Sequence, residues 1–312
     1  MDTVELRITG GLGNQLYQYA AARYIYSTHN ANKIIIDIGE YESYKTRNFE
    51  LGYILHNNAV LIKPIRSKKN SLYRMSYHIY QKLYRIIKKK RPHQWVLGNS
   101  HDKYLCAYIE YNPFAKLDTR ILHMYGYFVS AKTAITVKEE LMQELYLDNS
   151  SMSKECQMYL GMLNEQNTIG VSIRCAEDYV KNNWPICSKE YYRRGLEHIL
   201  ELKKNEANHI YVFADSIDKV RDEQWFEDYD NVIYIENLSV CESFELLRHC
   251  SNYVCSNSSF SWWGAFLSYS KDPIKVNPNK VFSGNSRQVD METFYEGLVY
   301  LDYITGEIVD IT

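Results

Sequence analysis

Apolar positions along the chain fall into short runs with strand spacing, each followed by positions with helical spacing. Val4, Leu6 and Ile8 alternate as a strand, Gly10-Gly11-Leu12-Gly13 forms a turn, and Asn14-Gln15-Leu16-Tyr17-Gln18-Tyr19-Ala20 opens an alanine-rich helix. A second strand over 33–38 completes a β-turn-α-β unit that ends near Asp37. Further on, the pattern predicts a strand over 121–128 and a helix over 133–147. The polar stretch Asp148-Asn149-Ser150-Ser151-Met152-Ser153 then reads as a linker, which divides the chain into domains 1–150 and 151–312.

The second half alternates more regularly. Strands are expected over 168–173, 209–214, 232–235, 253–255 and 274–276, separated by helices to about 163 and over 189–203, 217–224, 242–250 and 260–269. Such an alternation builds a parallel α/β sheet, in which ligands sit beyond the carboxyl ends of the strands.

Composition narrows the class. With 312 residues, 46% hydrophobic content and a net charge of −2, the chain has enough apolar surface for one or two cores of a soluble globular protein. No run approaches the length of a membrane-spanning helix, and Met1-Asp2-Thr3-Val4-Glu5 reads as the start of a strand rather than a leader, so the mature protein is expected to begin at Met1. Seven cysteines without a C-x-x-C spacing argue against a disulfide framework and a zinc site, and favour a cytoplasmic location.

The small net charge conceals an asymmetry. Residues 51–101 contain no Asp or Glu but 11 Lys and Arg. Within them Leu72, Met75, Ile79, Leu83, Ile86 and Ile87 share one helical face, tyrosines are interleaved, and Lys88-Lys89-Lys90-Arg91-Pro92 closes the block. Residues 66–91 thus suit peripheral contact with an anionic membrane, such as the inner face of a plasma membrane; the alternative is a solvated helical insertion with a charged outer face. No nucleic-acid module accompanies the block, and no nucleic-acid partner is expected.

Three strand ends carry the candidate chemistry. Arg174 follows one, with Glu177, Asp178 and Tyr179 close behind; Asp215 follows the next; Ser256-Asn257-Ser258-Ser259-Phe260-Ser261-Trp262-Trp263-Gly264 follows a third and opens a helix. An arginine, a hydroxyl-rich helix N-terminus and a carboxylate suit a nucleoside diphosphate, with Arg174 and the serine turn on the phosphates and Asp215 on base or ribose. At the other end of the chain the glycine turn and Asp37 invite a dinucleotide reading, although Leu16 stands where a third glycine belongs and Asn14-Gln15 places two amides at the helix start. Asp228-Tyr229-Asp230 lies in an acidic loop before a strand and reads as solvated rather than metal-binding.

Gly10-Gly11-Leu12-Gly13-Asn14-Gln15, the Arg174 segment with Asp178-Tyr179, Phe213-Ala214-Asp215 and the Ser256–Gly264 stretch resemble, in that order, motifs of the α-1,2-fucosyltransferases of glycosyltransferase family 11. The resemblance implies an α/β fold of GT-B type, two Rossmann-like domains facing a cleft, with an acceptor-side N-terminal domain and a C-terminal domain that binds the nucleotide sugar. It also implies metal-independent, inverting transfer of fucose from GDP-fucose to a sugar hydroxyl, commonly O-2 of a galactose, on a surface glycan such as an O-antigen unit; the basic block adds the expectation that this acceptor is lipid-linked.

Carried onto this sequence, it makes Arg174 and the turn at Ser258 and Ser259 the groups that meet leaving-group charge, and Asp178 or Glu177 the nearest base. It makes Gly11, Gly13, Asn14, Gln15, Asp215 and residues 256–261 (Ser256, Asn257, Ser258, Ser259, Phe260, Ser261) the donor contacts, with Trp184 or Trp263 as a sugar platform and no cofactor or metal. The sequence departs from the family's His-x-Arg-Arg-Gly-Asp-Tyr motif at Ser172, Cys175 and Ala176, and Ser216 replaces a second Asp. The alternatives are a transferase using another nucleotide sugar, an NAD-dependent oxidoreductase with Asp37 on the ribose, and a non-catalytic carbohydrate-binding protein.

Overall fold

The computed structural model describes residues 1–43, 46–66, 68–88, 94–109, 117–165, 167–176, 179, 181, 183–204, 208–282 and 290–311. Glu177, Asp178 and the basic run 89–92 lie outside them. The chain divides into two compact units, Met1–Leu145 and Tyr146–Thr312.

The first unit is a six-stranded sheet in the order β3-β2-β1-β6-β5-β4. Its strands are β1 (Thr3–Arg7), β2 (Lys33–Asp37), β3 (Val60–Lys63), β4 (Gln94–Gly98), β5 (Asp102–Ile109) and β6 (Ile121–Val129), all parallel to their neighbours except β4, which runs antiparallel to β5. Val4, Leu6, Ile34, Ile36 and Leu122, in register on one face of the central strands, are fully buried. Helix α1 (Leu12–Thr28) crosses from β1 to β2, and its Ala20-Ala21-Ala22 run, fully buried, lets it lie close on the sheet.

Helix α2 (Lys68–Lys88) occupies the basic block, and its outer face is apolar rather than only charged. Tyr77 is buried, Tyr73 stacks on Tyr104 with centroids 3.7 Å apart, and Tyr80 stacks on Trp95 at 5.4 Å. The tyrosine face packs on the sheet, and the leucine, isoleucine and methionine face is turned to solvent. The predicted helix over 133–147 is two helices, α3 (Ala131–Thr136) and α4 (Lys138–Glu144), broken at Val137. The β-branched run Ile135-Thr136-Val137 is poor helix material, and Val137 is buried in a non-helical conformation instead.

The second unit begins five residues before the expected boundary, because the predicted linker docks on it. The Ser153 N–H donates to Glu242 at 2.7 Å and the Leu147 N–H to Glu245 at 3.4 Å. Helix α5 (Lys154–Glu165) then leads to an all-parallel sheet in the order β12-β11-β10-β7-β8-β9. Its strands are β7 (Asn167–Ile173), β8 (Asn208–Ala214), β9 (Val232–Tyr234), β10 (Asn252–Val254), β11 (Lys275–Pro278) and β12 (Val299–Leu301). The intervening helices are α6 (Lys189–Leu202), α7 (Ile217–Asp222), α8 (Val240–His249) and α9 (Ser259–Phe266). Ile169, Val171, Leu196, Ile199, Val212, Val254 and Val276 form the core.

Strand order grows one way from β7 through β8 to β9 and the other way from β10 through β11 to β12. The reversal between β7 and β10 is a topological switch point, where adjacent loops turn to opposite faces and leave a crevice at the carboxyl ends. The first unit is wound differently: its order grows outward from β1 to β3 and then comes inward from the edge strand β4 through β5 to β6 beside β1.

Candidate functional site

Arg174 and Ser256 stand at the two strand ends that flank the switch point of the second unit. Arg174 is 15% exposed, its Nη1 is 2.5 Å from Asp215 Oδ2, and its guanidinium lies 4.6 Å from the centroid of the Tyr179 ring. Asp215, at the end of the neighbouring β8, also accepts hydrogen bonds from the backbone N–H of Cys175 at 2.9 Å and of Ala176 at 3.3 Å. Its carboxylate thus holds the segment that carries Arg174. Asp178 and Glu177, expected as bases, fall outside the described residues.

Across the switch point, β10 gives way to Ser256 and to the α9 N-terminus. The Ser256 N–H donates to Ser261 Oγ at 3.0 Å, and Ser258 caps α9 by accepting from the Phe260 N–H. The tryptophans pack: Trp262 Nε1 donates to the Thr293 carbonyl, and Trp263 is fully buried, which removes it as a sugar platform. Phe260 is half-buried with its ring 5.6 Å from Phe244, so its role is packing as much as ligand contact. Trp184 remains half-buried beside Tyr179 and Phe282, with ring centroids 6.0 and 6.4 Å away.

Among the described residues, two buried oxygens here have no protein partner. Ser256 Oγ and Asn257 Oδ1 accept and donate nothing, although the residues are 3% and 4% exposed and Asn257 Nδ2 donates to the Pro185 carbonyl at 2.6 Å. Asn277 Oδ1, on adjacent β11, is in the same state. A buried polar atom left unmade costs about 1–3 kcal/mol, and its persistence at the mouth of a crevice marks a place for ligand or water.

Lys280, just past β11, was not singled out by the sequence pattern. It is 22% exposed and pairs at 3.0 Å with buried Asp290, which also accepts from the Val281 and Phe282 N–H groups. Asn-Pro-Asn-Lys after an apolar strand was the available signal. Among the described residues, no group of three His, Cys, Asp or Glu is placed to hold a metal ion. Asp228 is 64% exposed and pairs with Arg193, as its solvated reading expected.

In the first unit Gly10 has φ +83°, with Asn14 Nδ2 and Tyr127 lying where a Cβ would point. The helix starts at Leu12, so Gly13 is its second residue and is buried, while Gly11 is the N-cap with Arg47 above it. Gln15 departs from expectation. It is fully buried, donating to the Gly10 and Asn48 carbonyls and the Tyr41 hydroxyl and accepting from the Glu50 and Leu51 N–H groups. Gln18, which the sequence reading passed over, clamps Thr9 in both directions. Both amides shape the turn, leaving half-buried Asn14 as the amide at its edge. Asp37 is 1% exposed and saturated by Arg7 and the Gly39 and Ile65 N–H groups, which leaves it no oxygen for a ribose. This overturns the dinucleotide reading.

Residues 3–301 match Glycosyl transferase family 11. The chain belongs to this family. Within the curated proteins, it is 25% identical over 308 residues to the O-antigen biosynthesis glycosyltransferase WbnK of Escherichia coli, covering 90% of this chain and 95% of that one. It is 24% identical to an alpha-1,2-colitosyltransferase of the same organism, covering 90% and 93%. Its fold is similar to the crystal structure of fucosyltransferase NodZ from Bradyrhizobium, with TM-score 0.51, 12% identity and coverage of 86% and 93%. The family 11 chain is thus a glycosyltransferase of GT-B type, and the non-catalytic reading is set aside with the oxidoreductase.

The family departures now have surroundings. Ser172 is buried within β7, and Cys175 is buried with its thiol toward the Ser216 carbonyl. Burial, and then the charge of Asp215, push the Cys175 thiol up to about 11, so it is a packed group rather than a nucleophile.

Proposed function

We propose that this family 11 chain transfers fucose from GDP-fucose to a sugar hydroxyl, O-2 of a galactose, on a lipid-linked surface glycan, with inversion and without a metal ion. The observation that carries the reading is Arg174, held by Asp215 and backed by Tyr179 at the switch point, opposite the α9 N-terminus. As the bond from anomeric carbon to β-phosphate oxygen breaks, its electron pair goes to GDP, and a fixed cation with preorganised N–H donors meets that charge. The acceptor oxygen forms the new bond from the opposite face, and its proton passes to a base, for which Asp178 or Glu177 is nearest in sequence. Ser256 Oγ and Asn257 Oδ1 are left as acceptors for donor hydroxyl or amino groups. The glycine turn at Gly10 and Asn14 is assigned to the first unit's share of ligand binding.

The similarity to a colitosyltransferase favours a second reading, the same chemistry with another sugar on the nucleotide. One experiment separates them: GDP release from GDP-fucose and from a colitosyl donor, with EDTA present, over a panel of galactose-terminated acceptors. Acceptor-dependent release that survives EDTA and falls about 100-fold or more in Arg174→Ala supports the proposal. Release only from the colitosyl donor transfers it to the second reading, and loss with EDTA overturns metal independence.

A further inference from the structure

The face of α2 that the sheet does not use is apolar. Leu72, Met75, Ile79, Leu83 and Ile86 are 61, 56, 54, 53 and 67% exposed, at spacings of three and four residues that align them along the helix. One exposed leucine means nothing, but five in register make a continuous stripe, which monomeric proteins in water rarely carry. Beside it, Arg74, His78 and Lys82 line a hollow of about 460 Å³ together with Ser71, Tyr125 and Glu40, the last engaged by Arg7. The opposite face is anchored by Tyr73, Tyr77 and Tyr80, so the stripe cannot turn inward without giving up that packing.

We propose that this face of α2 docks on an anionic phospholipid bilayer, the stripe entering the interface and the cations of the hollow meeting lipid phosphates. Charge selects the occupant. By sequence, residues 51–101 hold 11 Lys and Arg and no acid, a segment charge that anionic headgroups neutralise and that the same segment of a second copy would repel. Among the described residues no helix is long and apolar enough to cross a membrane, so α2 lies along the interface. Such docking would bring the enzyme to a membrane-held acceptor, and it stands or falls independently of the donor sugar.

Flotation of the full chain with phosphatidylcholine vesicles, and with vesicles enriched in phosphatidylglycerol, tests it. The expected result is binding to the anionic vesicles, weakened by salt, and at least about tenfold weaker in Ile79→Glu/Leu83→Glu and in Arg74→Gln/Lys82→Gln. Both double variants alter surface positions and should retain thermal stability and turnover of a water-soluble acceptor. Absence of flotation, equal binding to neutral vesicles, or undiminished binding by the variants overturns the proposal. A concentration-dependent dimer in sedimentation equilibrium, lost in Ile79→Glu/Leu83→Glu, also overturns it and assigns the face to a second copy.

Discussion

Arg174 cannot be understood apart from the carboxylate that holds it. Asp215 accepts three hydrogen bonds from consecutive residues, one from the guanidinium and two from the backbone that follows. Asp215→Ala should therefore lower kcat more than it raises KM, reducing kcat/KM about tenfold or more, because it loosens the cation instead of deleting it. Arg174→Lys should not restore the activity that Arg174→Ala loses, since a lysine offers no planar fork to share between Asp215 and a phosphate. Steady-state kinetics on the three variants decide between positioning and direct contact; a pure KM effect in Asp215→Ala would return that residue to donor binding. Sequence marked Asp215 as a strand-end acid but not its bond to Arg174, which depends on β7 and β8 being neighbours. Gln15 misled for the same reason: its partners at Asn48, Glu50 and Leu51 lie more than thirty residues away.

At the scale of elements, hydrophobic period located the strands of the second unit because buried parallel strands are almost continuously apolar. It passed over β3 and β4, which are short, β5, where tyrosines and a lysine interrupt the apolar run, and β12. It found α2, but not which residues hold it to the sheet, since ranking by hydrophobicity puts leucine inside before tyrosine. The sheet beneath offers Tyr104 and Trp95 as stacking partners, and those select the tyrosines. The pairing of α8 with α9 was legible only as a glycine in a motif. A Cβ on Gly264 would stand 2.5 Å from Leu247 Cδ2 and 2.8 Å from its Cγ. Gly264→Ala should cost about 1–3 kcal/mol by forcing the helices apart. Pairing it with Leu247→Ala should recover part of that cost, a non-additivity that urea unfolding of the two single variants and the double variant would reveal. Simple additivity would mean that the close approach is not under strain.

The whole chain is two units, and the join between them is the feature least visible in sequence. The polar run reads as a linker, yet two buried carboxylates of α8 draw it onto the second unit. Glu242 is the tighter of the two: its oxygens accept from the Ser153 and Ser239 N–H groups at 2.7 and 2.9 Å. Burial works to raise its pKa, but these hydrogen bonds prevail and bring it from 4.5 down to about 2. A folded-state value below the unfolded one contributes stability that is fully present above the unfolded value. That stability is lost as pH falls from about 4.5 toward 2. Linkage puts the contribution at about 3 kcal/mol at neutral pH. Glu242→Gln keeps the shape but turns an amide N–H₂ toward one of two backbone donors, so it should lose most of that amount. Urea unfolding of the second unit at pH 7 and at pH 3 measures the sign: the gap between wild type and variant should be widest at pH 7 and narrow on acidification. A gap that stays constant with pH would show that packing, not the carboxylate's charge, fastens the boundary.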